Sequence, residues 1–176
     1  MTNRLTLQYK RLVPTSRRRE TDVNVKATLS SDDLARACAD AMWKEDEASQ
    51  GLGMEILEVK AGEAVLAMTI QPHMVNGQGI AHGGFIFLLA DSAFAFACNS
   101  RNERTVAAQC DISFVRPARL GDRLLARARE ISKTGRSGIY DVSVAVDDTA
   151  IAELRGHSRT IGGVWVMPAD PADGMK

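Results

Sequence analysis

The sequence predicts an α+β domain in which an antiparallel sheet curls around one long helix. Three observations carry this expectation. Residues 83–99 are apolar around nearly the whole circumference of a helix, as a helix buried on all sides must be. The chain beyond them alternates with period two through four successive segments, the mark of strands. A shorter helical segment and a hairpin precede the long helix. One sheet buries such a helix only by bending round it. A helix apolar on its outer side as well needs more cover than six strands give, so a partner subunit is expected.

Taken in order, residues 1–28 lead into the domain. They carry Arg4, Lys10, Arg11, Arg17, Arg18, Arg19 and Lys26 with few strong hydrophobics, and read as a basic, disordered arm. A basic anchor for an anionic partner is an alternative, and so is an organelle presequence, although Glu20 and Asp22 interrupt the basic character. Ser30 or Ser31 caps the first helix, with Asp32 and Asp33 in its first turn, where negative charge suits the helix dipole. Leu34, Ala37, Cys38, Ala41 and Met42 give it an apolar face, and Gly51 and Gly53 end it. Met54 to Val59 and Ala64 to Ile70 form a hairpin over the turn Lys60-Ala61-Gly62-Glu63. The second arm is apolar on both faces, so it is central or covered on both sides.

Residues 71–79 make a loop punctuated by Pro72, Gly77 and Gly79. The helix at 83–99 follows, about 25 Å long. Val106, Ala108, Cys110, Ile112 and Phe114 then alternate with Ala107, Gln109, Asp111, Ser113 and Val115 until Pro117 stops the strand. Residues 122–131, 138–146 and 150–161 give three more strands, and residues 162–176 read as a tail. The domain is thus expected over 29–161.

The totals narrow the function classes. A chain of 176 residues suggests one domain, and a hydrophobic fraction of 45% is ample for one core. Lys+Arg and Asp+Glu are both 22, which gives no general reason to expect nucleic acid or an anionic membrane as partner. Cys38, Cys98 and Cys110 are odd in number and widely spaced, and His73, His82 and His157 lack the HExxH spacing. Neither a disulfide framework nor a metal site is expected, and a reducing, cytoplasmic compartment is the simple reading. No apolar run of signal-peptide length lies in the first 30 residues, and the run from Phe85 to Cys98 is shorter than the ~20 residues a membrane span needs.

The chemistry concentrates in "VNGQGIAHGGFIFLLADSAFAFACNS", residues 75–100. Asp91 stands alone in an apolar helix, where an unpaired carboxylate is costly. It is a nucleophile or general base at the edge of a closed pocket, or an acid that fixes a neighbouring loop, or a residue that emerges into solvent. The amides of Gly83 and Gly84 open the same helix, where N–H groups lack intrahelical acceptors. They make an oxyanion hole or a plain tight turn; a donor of that kind contributes about 3 kcal/mol in acyl transfer. His82 either orients a carbonyl or is a satisfied loop histidine, and Asn76 either binds a carbonyl or water or serves its turn before Gly77. Gly83 and Asp91 lie eight residues apart, about 12 Å along the axis, so both reach one substrate only if Asp91 comes from the other subunit of a two-fold dimer. Gly77 and Gly79 lack the GxGxxG pattern and βαβ frame of a dinucleotide site.

The linked Asn76, His82-Gly83-Gly84 and Leu89-Ala90-Asp91, together with "DISFVRPARLGDRLLARARE", resemble the hotdog-fold thioesterases of the PaaI type over about residues 31–161. The resemblance implies hydrolysis of acyl-CoA thioesters carrying phenylacetyl or hydroxyphenylacetyl groups. It implies dimers that pair into tetramers, and no cofactor or metal; coenzyme A is part of the substrate. It gives Asp91 the role of nucleophile or general base, Gly83 that of backbone donor to the thioester carbonyl, and Asn76 and His82 positioning roles. Ser92 occupies a position where similar proteins often carry a small hydroxyl residue. Gly84, Ser92, Arg116, Lys133 and Arg136 are expected to meet substrate or CoA, with Arg119 a further cation beside Pro117; single solvated charges are the alternative for each basic residue. A hotdog hydratase or dehydratase using His82 and Asp91, and a non-catalytic acyl-CoA-binding protein on the same fold, are the competing functions.

Overall fold

The computed structural model describes residues 29–167, and the basic arm and the end of the C-terminal segment lie outside them. Two short helices come first. Helix α1, Ser31–Trp43, is capped by the Ser30 side chain, which accepts from the Asp33 amide. The helix expected to run on to Gly51 is in fact two. Asp46 leaves helical backbone and caps a new helix, α2, Glu47–Gly51, by accepting from the Ser49 amide. Strands β1, Glu55–Lys60, and β2, Glu63–Thr69, form the hairpin, with Gly62 at φ +83 in its turn. Then come α3, Gly83–Asn99, and strands β3, Thr105–Phe114, β4, Arg123–Thr134, β5, Ser137–Val146, and β6, Thr149–Thr160.

All six strands are antiparallel neighbours in the order β1-β2-β4-β5-β6-β3. The sheet curls round α3, which touches every strand. Leu89, Phe94 and Phe96 of the helix are buried against Leu66, Met68, Leu124, Val142 and Val144 of the sheet. Tyr140 packs on Phe94 with ring centroids 5.4 Å apart. The outer face is solvated. There the registers set Asp111, Arg155, Asp141, Arg129, Glu63 and Lys60 side by side across the six strands, alternating in sign. Exposed pairs of this kind contribute little stability, but like charges opposite one another would disfavour a slipped register.

Beyond β6 the chain folds back onto the far end of α3. Buried Asn99 accepts from the Trp165 indole at 2.7 Å, and Asn102 accepts from the amides of Trp165 and Val166. Arg104 stacks over the Trp165 ring at 4.4 Å. Among the described residues no helix is long and apolar enough to cross a membrane.

Among the described residues two surfaces lack cover. On α3, Phe85, Leu88 and Asp91 recur at three-residue steps and are only partly buried. At the sheet edge, β3 has β6 on one side and no strand on the other among the described residues.

Candidate active site

The start of α3 is built by His82. Its backbone N–H donates to the Met74 carbonyl at 2.8 Å, which fixes the entry of the chain, and its side chain is the helix cap. His82 Nδ1 accepts from the Gly84 amide at 3.0 Å. The ring therefore has its lone pair on Nδ1 and its proton on Nε2, which points a donor away from the helix. Of the two amides expected to meet a ligand, that of Gly84 is thus already bonded. The Gly83 amide has no acceptor among the described residues and lies at the positive end of the helix dipole.

That amide opens on a cleft of about 440 Å³ lined by Asn76, Gly83, Ile86, Phe114, Arg116 and Pro117, among others. Phe114 closes against the helix start, its ring 3.0 Å from where a Cβ on Gly83 would stand. Asn76 serves its own loop and retains a donor. Oδ1 accepts from the amides of Gln78 at 2.9 Å and Ile80 at 3.4 Å, while Nδ2 has no acceptor among the described residues. Arg116 donates from Nη1 to the Ala150 carbonyl at 2.9 Å, on the rim of the cleft. The backbone N–H of Arg119 donates to Asp122 in the adjoining turn.

Lys133 and Arg136 lie elsewhere. Lys133 is paired with Glu103 at 2.7 Å, just past the C-terminal end of α3, and Arg136 donates to the Thr160 carbonyl at 2.9 Å. Within one chain they stand at the opposite end of α3 from Gly83, and the structure does not bring them to the cleft.

Asp91 lies two turns along α3, half-buried. Burial raises its carboxyl above the usual carboxylate range, and the Cys110 thiol of β3, 3.8 Å from Oδ1, partly opposes that shift. This donor comes from a strand; the fixing of a loop by Asp91, one of the alternatives, is not seen among the described residues. Ser92, beside it, bonds the hydroxyl of buried Ser49 at 2.9 Å and so ties α2 to α3. Asp91 does not line the Gly83 cleft, and the helix rise keeps the two about 12 Å apart. Among the described residues no three His, Cys, Asp or Glu side chains form a group able to hold a metal.

Three contributors were not singled out from the sequence. Cys110 counts there only as one of three scattered cysteines, although its place in the period-two pattern already sets it on the same face as Ile112 and Phe114. Phe114 reads simply as a strand hydrophobic, and Ser49 as one polar residue in a charged helix. The partners of each lie far away in sequence, so no local signal marks them.

Residues 78–153 match the thioesterase superfamily model. The chain is 40% identical over 126 residues to the acyl-coenzyme A thioesterase PaaI of Escherichia coli, covering 71% of this chain and 90% of that one. The solved structure of the E. coli PaaI protein from the phenylacetic acid degradation operon superposes with a TM-score of 0.76 at 39% identity, over 77% of this chain and 99% of that one. The TT0310 protein of Thermus thermophilus superposes with a TM-score of 0.65 at 37% identity, over 66% of this chain and 99% of that one.

Proposed function

The chain belongs to the PaaI-type acyl-CoA thioesterases of the thioesterase superfamily, and from that membership we propose that it hydrolyses aromatic acyl-CoA thioesters, of the phenylacetyl or hydroxyphenylacetyl type, to the free acid and CoA. The observation that carries this reading is the apolar cleft opening on the Gly83 amide, which has no acceptor among the described residues, on the helix that also carries half-buried Asp91. Phe114, Ile86 and Pro117 offer an apolar wall for an aryl group. We assign the reaction to aromatic acid degradation in the cytoplasm.

In this reading the Gly83 N–H donates to the thioester oxygen as negative charge develops there. The Nε2–H of His82 and the Nδ2 of Asn76 orient the carbonyl. Asp91 attacks the carbonyl carbon or draws a proton from the attacking water, and CoA departs as a thiolate that needs little acid assistance. Because Asp91 and Gly83 of one chain are too far apart, each site takes its carboxylate from a second copy. Strand β3 supports such a dimer. It is ten residues long, its outer edge has no strand partner among the described residues, and Val106 and Phe114 along it and Val115 just beyond are 45%, 51% and 52% exposed. A long apolar edge of this kind is a template for a second strand. Dimers then pair as tetramers. Arg116 meets CoA phosphate at the cleft rim, and Lys133 and Arg136 reach the same substrate only from the partner subunit.

The test is release of free thiol from phenylacetyl-, benzoyl- and straight-chain acyl-CoAs, by the wild type and by Asp91→Asn. The aryl substrates are expected to lead, and Asp91→Asn to lose on the order of 10²–10⁴-fold in kcat with fold and oligomer kept. Wild-type turnover by Asp91→Asn would remove Asp91 from the reaction.

A further inference from the structure

Among the described residues Asp91 receives one side-chain hydrogen bond, from the thiol of Cys110. We propose that Cys110 is a positioning residue for Asp91: its S–H holds Oδ1 in place and leaves Oδ2 as the oxygen that attacks or takes the proton. The proposal rests on the reading of Asp91 as the reacting carboxylate.

Three features argue for it. The first is placement. Cys110 pairs with Gly156 of β6, and its neighbours Gln109 and Asp111 point to the outer face, so the thiol is directed inward at α3. The same strand continues to Phe114 on the cleft wall, so one element walls its own chain's cleft and holds the carboxylate offered to the partner's. The second is donor strength. A guanidinium or several amides would fix the carboxylate firmly but would also drain its basicity and nucleophilicity. A single thiol is a weak donor that orients at small cost in reactivity.

The third is that the donor persists. The titratable groups that face Asp91 are Cys110 on β3 and Cys98 on α3 itself; α2 presents Ser49, which bonds Ser92 instead. Burial first, and the Asp91 charge second, push the Cys110 thiol up to about 11 and Cys98 up to about 12. Both therefore stay protonated through neutral pH, and Cys110 donates rather than competing as a thiolate nucleophile.

The experiment compares the wild type, Cys110→Ala, Cys110→Ser and Asp91→Asn as full-length chains. Profiles of kcat/KM against pH are measured on one aryl-CoA, with kcat and KM separated at neutral pH. The infrared S–H band of Cys110 is assigned by its loss in Cys110→Ala. Burial already holds Asp91 high, and the thiol pulls it down. Loss of the thiol therefore moves the acid limb to higher pH, since the carboxylate is the active form. With it kcat falls about fivefold and KM hardly changes. Cys110→Ser, a stronger donor, returns the limb to the wild-type position or below. The S–H band shifts in Asp91→Asn. A Cys110→Ala profile identical to wild type, a Cys110→Ser variant that behaves like Cys110→Ala, or an S–H band indifferent to Asp91→Asn overturns the role of Cys110. Wild-type turnover by Asp91→Asn instead overturns the role of Asp91 itself, and that result is separate from the other three.

Discussion

Gly83 and Gly84 are adjacent glycines with different physical reasons to be glycine. A Cβ on Gly84 would stand 3.1 Å from His82 Nδ1, so this residue is small to let the histidine cap the helix. A Cβ on Gly83 would press on the Phe114 ring, yet that ring is half-exposed and can swing aside. What Gly83 supplies in the proposed reaction is its N–H. Two substitutions bear on these effects. Gly83→Ala adds the Cβ and keeps the donor; Gly83→Pro adds a ring of two further carbons and replaces the N–H by its Cδ. Proline suits the first helical position, and His82 at φ −69 and ψ 130 already has the extended backbone that a residue before proline requires. Gly83→Pro should lose about 10²–10³-fold in kcat beyond Gly83→Ala, with little difference in thermal unfolding. Equal kcat values for the two would show that the amide does no chemistry. At this scale the motif "AHGG" was legible as a helix start with donors, because chain order alone fixes which amides are left over. That Gly84 spends its amide on His82 was not legible, because it depends on which way an imidazole turns.

The long helix and its strands were legible for a physical reason: a face buried along many turns leaves a period in the sequence. The run at 83–99 and the alternation after it locate α3 and β3–β6 with only their ends shifted. The break between α1 and α2 was hidden, because Glu45, Asp46 and Glu47 suit a continuous helix as well as a cap. The docking of Trp165 was hidden too, since Asn99 and Asn102 lie over 60 residues away in sequence. Contact between α3 and β6 offers a test of the wrap itself. A Cβ on Gly156 would come within 2.9 Å of the Phe94 ring, which is 1% exposed and packed on Tyr140, so it cannot swing away. Gly156→Ala should therefore destabilise by about 1–3 kcal/mol in denaturant unfolding. Adding Phe94→Leu should cost less in the Gly156→Ala background than in the wild type, because the smaller side chain relieves the overlap. Strictly additive effects would place Gly156 away from the helix.

At the scale of the molecule, the proposed reaction gives one rod two half-sites, each serving a different active site. The Gly83 end faces its own cleft, and Asp91 sits on a face of α3 that the described residues leave partly open, beside the β3 edge that no described strand pairs. If Gly83 and Asp91 act on one substrate, a second copy follows from helix rise alone, whereas the edge it would use required the strand order. If each site joins Gly83 of one subunit to Asp91 of the other, two inactive variants must complement each other. A dimer of one Gly83→Pro chain and one Asp91→Asn chain has one site with both defects and one site with neither. Co-expression in equal amounts should return roughly a quarter of wild-type activity per chain, since about half the dimers are mixed and half of their sites are intact. Purification through two different tags should raise this to about half for mixed dimers isolated as dimers, and to roughly 0.3 where dimers pair at random into tetramers. If Gly83 and Asp91 instead served one site within one chain, every site in the mixture would carry a defect. The doubly tagged species, shown by mass to contain both chains, would then be as inactive as its parents.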